Sequence, residues 1–211
     1  MRPVRRDRCA PRRRGLRPRG LVDRRCADSK SRQPDSPQAR STMTRSAPLE
    51  IREVRNGRGL VAARALARGQ LICILHGRVR SARSVLAMWK RSPRRAANCI
   101  RYGAESYLDP EGEWGEFANH SCIPNAAVCV RRGGLQLRAI TAIRIGQEVT
   151  HDYSTCLGTD DCWTMRCNCG ARACRGVVRS VDRLPARALR RYLALGAIPL
   201  FILRTHQFLR G

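Results

Sequence analysis

Cys167, Cys169 and Cys174 stand at the spacing C-x-C-x4-C inside CLGTDDCWTMRCNCGARACR, residues 156–175. A disulfide across a single intervening residue is geometrically poor. Three thiolates this close suit a tetrahedral zinc ion, which demands a fourth ligand. Cys156 and Cys162 lie near, although nothing around them repeats the knuckle. The chain has 11 cysteines in all. No apolar signal-peptide core precedes them, so thiols or a metal site are expected rather than a disulfide framework. Cys9, Cys26, Cys73, Cys99 and Cys129 read as tail or core cysteines.

Charge divides the chain. Of 211 residues, 42 are basic and 16 acidic, a net +26, and only Lys30 and Lys90 are lysines. A GC-rich coding sequence yields such an arginine bias. Attraction to an acidic partner, nucleic acid or its protein complexes, is the functional counterpart. Residues 1–42 hold 14 basic and 4 acidic residues with no hydrophobic period. They cannot bury enough apolar surface to offset chain entropy, so residues 1–45 are expected to be a disordered Arg-rich extension. Met43 follows directly and is read as an alternative start. Residues 192–203, YLALGAIPLFIL, are apolar but too short for a membrane span and carry Pro199. They are expected to pack on the domain, and no membrane role is expected.

From Leu49 onward the pattern is ordered. LEIREV alternates as a strand, NGRG at 56–59 signals a turn, and LVAARAL and LICILHG at 71–77 continue as strands. Residues 81–91 predict a short helix with Ser81 at its N-cap. ESYLD at 105–109 is a strand, AAVCVRR-GG-LQLRAI a hairpin, and QEVTHDY a last strand. The class this implies is mostly β with short helices.

Residues 116–126, EFANHSCIPNA, crowd Asn119, His120, Ser121, Cys122, Pro124 and Asn125 together. A Cys/His nucleophile pair, a metal ligand and a plain polar turn are the three readings. Adjacent side chains rarely meet in productive geometry and no third group is evident, which weighs against the nucleophile.

Four pieces occur in one order: NGRGLVAA, FANHSCIPNA, ITAIRIGQEVTHDY and CNCGARACRG. This order resembles the SET-domain protein lysine methyltransferases with a post-SET cysteine motif, over about residues 49–178. The resemblance implies a SET-domain fold of several small β-sheets, with a knot-like C-terminal segment and a zinc-bound post-SET tail. It places the SET domain at 46–160, the post-SET zinc segment at 161–178 and a C-terminal helical tail at 179–211. It implies two cofactors, S-adenosyl-L-methionine and Zn2+. Gly57, Arg58, Gly59, Asn119, His120 and Tyr153 would bind the first, and Cys122, Cys167, Cys169 and Cys174 the second. Glycines at 57 and 59 would let backbone amides approach the ligand closely. Tyr153 would be the catalytic residue, orienting the amine rather than deprotonating it, since a phenol of pKa ~10 is a poor base at neutral pH. His151 is read as a strand-face residue on the side of Tyr153.

Two departures stand out. Glu116-Phe117-Ala118 lacks an arginine the family often has there, and Leu75-His76-Gly77 stands where many members have tyrosine. Tyr102 and Tyr107 are the candidates to take the place of that tyrosine. The leading function is methyl transfer to a lysine of a protein substrate, whether histone-like, ribosomal or another basic protein. The alternatives are a catalytically inactive SET-like zinc-containing interaction module and a zinc-containing nucleic-acid binder using the Arg-rich tail. Glu105, Asp109, Glu111, Glu113 and Glu116 are candidate docking charges for a basic peptide. The expected location is intracellular: cytoplasmic if bacterial, nuclear if eukaryotic.

Overall fold

The structure is a computed structural model that describes residues 48–131, 134–161 and 163–205. The Arg-rich extension, Met43 and Cys162 lie outside the described residues. β1 (Leu49–Val54) and β2 (Gly57–Ala62) form a hairpin in which Val54 faces Gly57. The turn is therefore Arg55–Asn56, and the NGRG glycines belong to the strand rather than to the turn. Gly57 takes φ +91°, the left-handed region open to glycine.

β3 (Leu71–Ile74) is followed by β4 (Arg78–Ser81), α1 (Ala82–Arg91), α2 (Pro93–Asn98), β5 (Ile100–Arg101) and β6 (Ser106–Asp109). The Ser81 side chain accepts the Ser84 amide and so starts α1. Pro93 opens α2 at the first helical turn, where its missing amide costs nothing. β7 (Ala126–Arg131) and β8 (Gly134–Ala139) make the expected hairpin. Two three-stranded sheets result, in the orders β3-β8-β7 and β4-β6-β5. β9 (Met165–Arg166) pairs with β10 (Val177–Val178), and α3 (Ala186–Ala194) and α4 (Leu200–Thr205) close the described chain.

β7 is buried on both faces. Ala126 and Val128 enter the main core with Leu60, Leu137, Ile143 and Val149. Ala127 and Cys129, one residue out of phase, enter a second core with Val181, Leu184, Tyr192, Ile198 and Ile202. Strand alternation thus builds two cores from one strand, the second covered by the C-terminal helices.

QEVTHDY is not a strand of a sheet. Its backbone is divided among three neighbours: Val149 N bonds Leu60 O, Ala126 N bonds Thr150 O, and His151 N bonds Asn119 O. Only single bridges form, antiparallel at Val61–Glu148 and parallel at His120–His151. Tyr153 then opens a 3-10 turn to Cys156.

Candidate active site and metal centre

The parallel bridge lays residues 118–122 beside 151–153 and builds the site from two segments about thirty residues apart. Asn119 Nδ2 donates to the Arg58 carbonyl at 3.1 Å and to Glu148 Oε1 at 2.9 Å. A Cβ at Gly59 would lie 2.8 Å from each of those Asn119 and Glu148 atoms. Glycine at 59 is thus demanded by close approach, although its φ is ordinary. The Arg58 guanidinium lies 4.8 Å over the Phe117 ring.

The Tyr153 hydroxyl donates to Ala118 O at 3.0 Å. Burial, with the Glu148 carboxylate adding to it, pushes that phenol above its ordinary pKa. Three rings surround it, with centroids 4.8 Å (His151), 5.3 Å (His120) and 6.3 Å (Trp163) away. His120 Nδ1 accepts the Tyr153 amide at 3.2 Å, so its Nε2 carries the proton and faces Cys122 Sγ at 3.4 Å. Burial lowers the His120 pKa to about 4, and the imidazole is neutral at pH 7. His151 is likewise held to about 4, by burial and by His120. Its ring bonds the Ala118 backbone, while its Nδ1 is buried without a partner.

The sulfur atoms of Cys122, Cys167, Cys169 and Cys174 all lie within 4.8 Å of one another, with Cys122 and Cys167 3.7 Å apart. A tetrahedral ion with bonds of about 2.3 Å separates its ligand sulfurs by about 3.8 Å, so the cluster fits zinc. Amide donors already face two of the sulfurs: Arg175 N to Cys122 at 3.3 Å and Gly176 N to Cys174 at 3.4 Å. Such donors stabilise thiolates and orient them. The β9–β10 pair closes the loop that carries three of these cysteines, with Cys167 N on Gly176 O. Arg55, at the tip of the first hairpin, donates to Asn168 O and ties that loop to the hairpin.

Beneath the site lies a carboxylate that the sequence does not single out. Asp152 is 1% exposed and receives Arg175 through two bonds of 2.8 and 2.7 Å. It also accepts the Tyr192 hydroxyl at 2.9 Å and the Ser154 amide at 3.1 Å. Sequence separations of 23 and 40 residues hide this network. Its only local sign is Arg175 directly after Cys174.

The departures find structural places. Leu75 is buried in the main core, and a Cβ at Gly77 would stand 2.4 Å from Asp109 O. Tyr102 packs on the main core and Tyr107 sits beside Arg101. Asp109 cannot dock a peptide: it is 2% exposed and paired with Arg80 and Arg95. Glu111 also pairs with Arg95, and Glu116 accepts the Gly112 amide. Of the five candidate charges only Asp109 is excluded by burial.

A buried acceptor without a partner, Asn56 Oδ1, lies beside the glycine pair at 57 and 59. Asn56 Oδ1 and His151 Nδ1 are the buried side-chain polar atoms without a hydrogen-bond partner among the described residues.

Residues 57–154 match the family model described as the SET domain. The fold is similar to the methyltransferase domain of human histone-lysine N-methyltransferase SETMAR, at 25% identity and a TM-score of 0.52, covering 63% of this chain and 58% of that one. It also aligns with the Neurospora SET domain protein DIM-5, a histone lysine methyltransferase, at 26% identity and a TM-score of 0.46, covering 52% of this chain and 53% of that one. The chain thus spans somewhat over half the length of these solved structures. The sequence matches no curated protein.

Proposed function

Because residues 57–154 match the SET-domain model, we propose that the chain is a SET-domain protein that transfers methyl groups from S-adenosylmethionine to a lysine side chain of a protein. The observation that carries this reading is the tie of Tyr153 Oη to Ala118 O, one residue from Asn119. The hydroxyl hydrogen is engaged there, so the lone pairs of the phenol oxygen are left to receive an amine.

Bound S-adenosylmethionine would supply an electrophilic methyl on its sulfonium. Gly57, Arg58, Gly59, Asn119 and His120 are the residues proposed to hold it. Asn119 is held in one orientation by hydrogen bonds to Arg58 O and Glu148 Oε1, which limits the side-chain freedom that binding would have to remove. The lysine amine must arrive neutral, with its lone pair directed along the line of transfer. Its proton goes to solvent, because a phenol with a raised pKa is no base at pH 7. Tyr153 Oη accepts an N–H of the amine and fixes its direction, a contribution of alignment and electrostatics. Zinc held by Cys122, Cys167, Cys169 and Cys174 is structural in this reading, since four thiolates leave no open position. Residues 46–160 are then the catalytic domain, 161–178 the zinc segment and 179–211 the tail.

The competing reading is a SET-like zinc module that binds a partner without turnover. Leu75, standing where many family members have tyrosine, is the feature that favours it, and that side chain packs in the main core. Among the described residues no helix is long and apolar enough to cross a membrane. Calorimetry with S-adenosylmethionine, followed by transfer of labelled methyl to a mixed peptide pool, separates the two. Binding with transfer supports the enzyme. Failure to bind S-adenosylmethionine by folded, zinc-loaded protein overturns it.

A further inference from the structure

The arginine excess is not spread evenly. Residues 48–161 hold 17 basic and 11 acidic side chains, whereas residues 163–205 hold 9 arginines and one acid, Asp182. A coding bias toward arginine acts along the whole chain and does not by itself remove acidic residues from one segment.

The fold then decides where those charges point. α3 turns Tyr192 into the second core, with Ala188, Leu189 and Leu193 partly buried beside it. Arg187, Arg190 and Arg191 stand on the opposite, exposed side. Their spacing of three and four residues places them on one helix face, across about 6 Å of axis. No ion pair joins any of the three to an acidic group among the described residues. Exposed Arg131, from β7, adds a fourth charge: its guanidinium lies 2.9 Å from where a Cβ at Gly196 would sit, at the turn after α3. The face is thus an array of exposed guanidinium groups without an ion-pair partner among the described residues, on a helix anchored by its apolar side.

We propose that the exposed face of α3, with Arg187, Arg190 and Arg191 at its centre and Arg131 at its C-terminal end, binds the phosphate backbone of nucleic acid. Planar, always-charged guanidiniums suit phosphate oxygens. The one aromatic residue of α3, Tyr192, is buried in the second core and offers no ring to stack a base, so binding through this helix is to the backbone and independent of sequence. The inference bears on the proposed methyl transfer, because a chain of net +26 repels a free basic peptide. A basic protein already bound to nucleic acid presents phosphate to this face and its lysines to the site. The substrate class would then be a nucleic-acid-bound protein. That extension rests on the methyltransferase reading, whereas the binding face itself does not.

The test is fluorescence anisotropy with labelled 20-nucleotide single-stranded and 20-base-pair duplex DNA, using the full zinc-loaded chain across a salt series. Two triple variants are compared with wild type. One is Arg187→Gln, Arg190→Gln, Arg191→Gln. The other is a control of equal charge on exposed arginines elsewhere, Arg64→Gln, Arg68→Gln, Arg144→Gln. Each phosphate contact contributes about 0.9 to the slope of log K against log salt on duplex DNA. The α3 triple should therefore flatten that slope by roughly 2 to 3 and weaken binding at least tenfold at low salt. The control triple should change the slope by less than about one. Equal losses in the two variants would mean diffuse charge and overturn the proposal, as would no loss in the α3 triple. Vesicles of phosphatidylserine and phosphatidylcholine form a second arm, and binding to them in preference to DNA at equal charge would also overturn it. None of these readouts uses methyl transfer, so failure of the enzyme reading and failure of this face are told apart.

Discussion

Arg175 grips Asp152 with two hydrogen bonds of 2.8 and 2.7 Å, joining the residue after the last cysteine of the metal cluster to the residue before Tyr153. The carboxylate is fully buried, and the Tyr192 hydroxyl from α3 shares it. The zinc loop, the C-terminal helix and the candidate catalytic turn therefore meet on one side chain.

Breaking this pair should be costly. Arg175→Met leaves a buried carboxylate without its cation, and a loss of about 3–5 kcal/mol is expected. Urea unfolding of zinc-loaded protein measures it. The double variant Asp152→Asn, Arg175→Met should lose less than the sum of the single changes, because the two residues act as a unit.

Metal removal should loosen the same region. Purified protein should carry about one zinc equivalent, and Cys174→Ser should reduce that content. Chelation should raise amide exchange in residues 163–178, since structural metal binding is coupled to folding. Unchanged exchange after complete metal loss would rule out the structural role.

Cofactor affinity tests the Asn119 assignment. Asn119→Ala should weaken S-adenosylmethionine binding by about 1–3 kcal/mol. Gly59→Ala should have a similar effect while leaving the Asn119 side chain chemically intact, because its Cβ would press on Val54 at 2.6 Å and displace Asn119 Nδ2 and Glu148 Oε1 at 2.8 Å. Calorimetry on variants with wild-type melting behaviour would detect both.

Tyr153→Phe removes one oxygen and keeps the ring. Turnover should fall by roughly a hundredfold while cofactor affinity stays level, the pattern of an interaction made mainly in the transition state. Wild-type turnover in that variant would take Tyr153 out of the mechanism.

Acid should destabilise the protein through His151. Its imidazole titrates near 4 in the fold against an ordinary 6.5. The unfolded chain therefore takes up the proton first as pH falls. The contribution to stability is complete above pH 6.5 and is lost as pH drops toward 4, by roughly 3 kcal/mol in total. His151→Phe lacks this titration. Its stability relative to wild type, by urea unfolding, should be greater at pH 4.5 than at pH 7.5. A constant difference between the two pH values would show that His151 is not held neutral.

Much of the architecture is local in origin and was legible in the chain. Alternation in LEIREV, the pairing of AAVCVRR with LQLRAI as a hairpin and the Ser81 cap depend only on side-chain period, chain proximity and capping chemistry. The C-x-C-x4-C spacing likewise restricts three thiols to one small loop. Local reasoning failed at QEVTHDY, where a strand-like pattern is shared among three neighbours and joins no sheet. Alternation specifies which residues share a face, but the number of neighbours that supply hydrogen bonds depends on how distant segments pack. The same limit hid Asp152, Arg175 and Tyr192, and it gave His151 the look of an ordinary strand residue. Only the tertiary structure brought Cys122 within 3.7 Å of Cys167, 45 residues away. It also covered the second face of β7 with α3 and so turned a line of arginines outward. Such pairings rest on burial and charge satisfaction summed over the whole fold, which no short window of sequence contains.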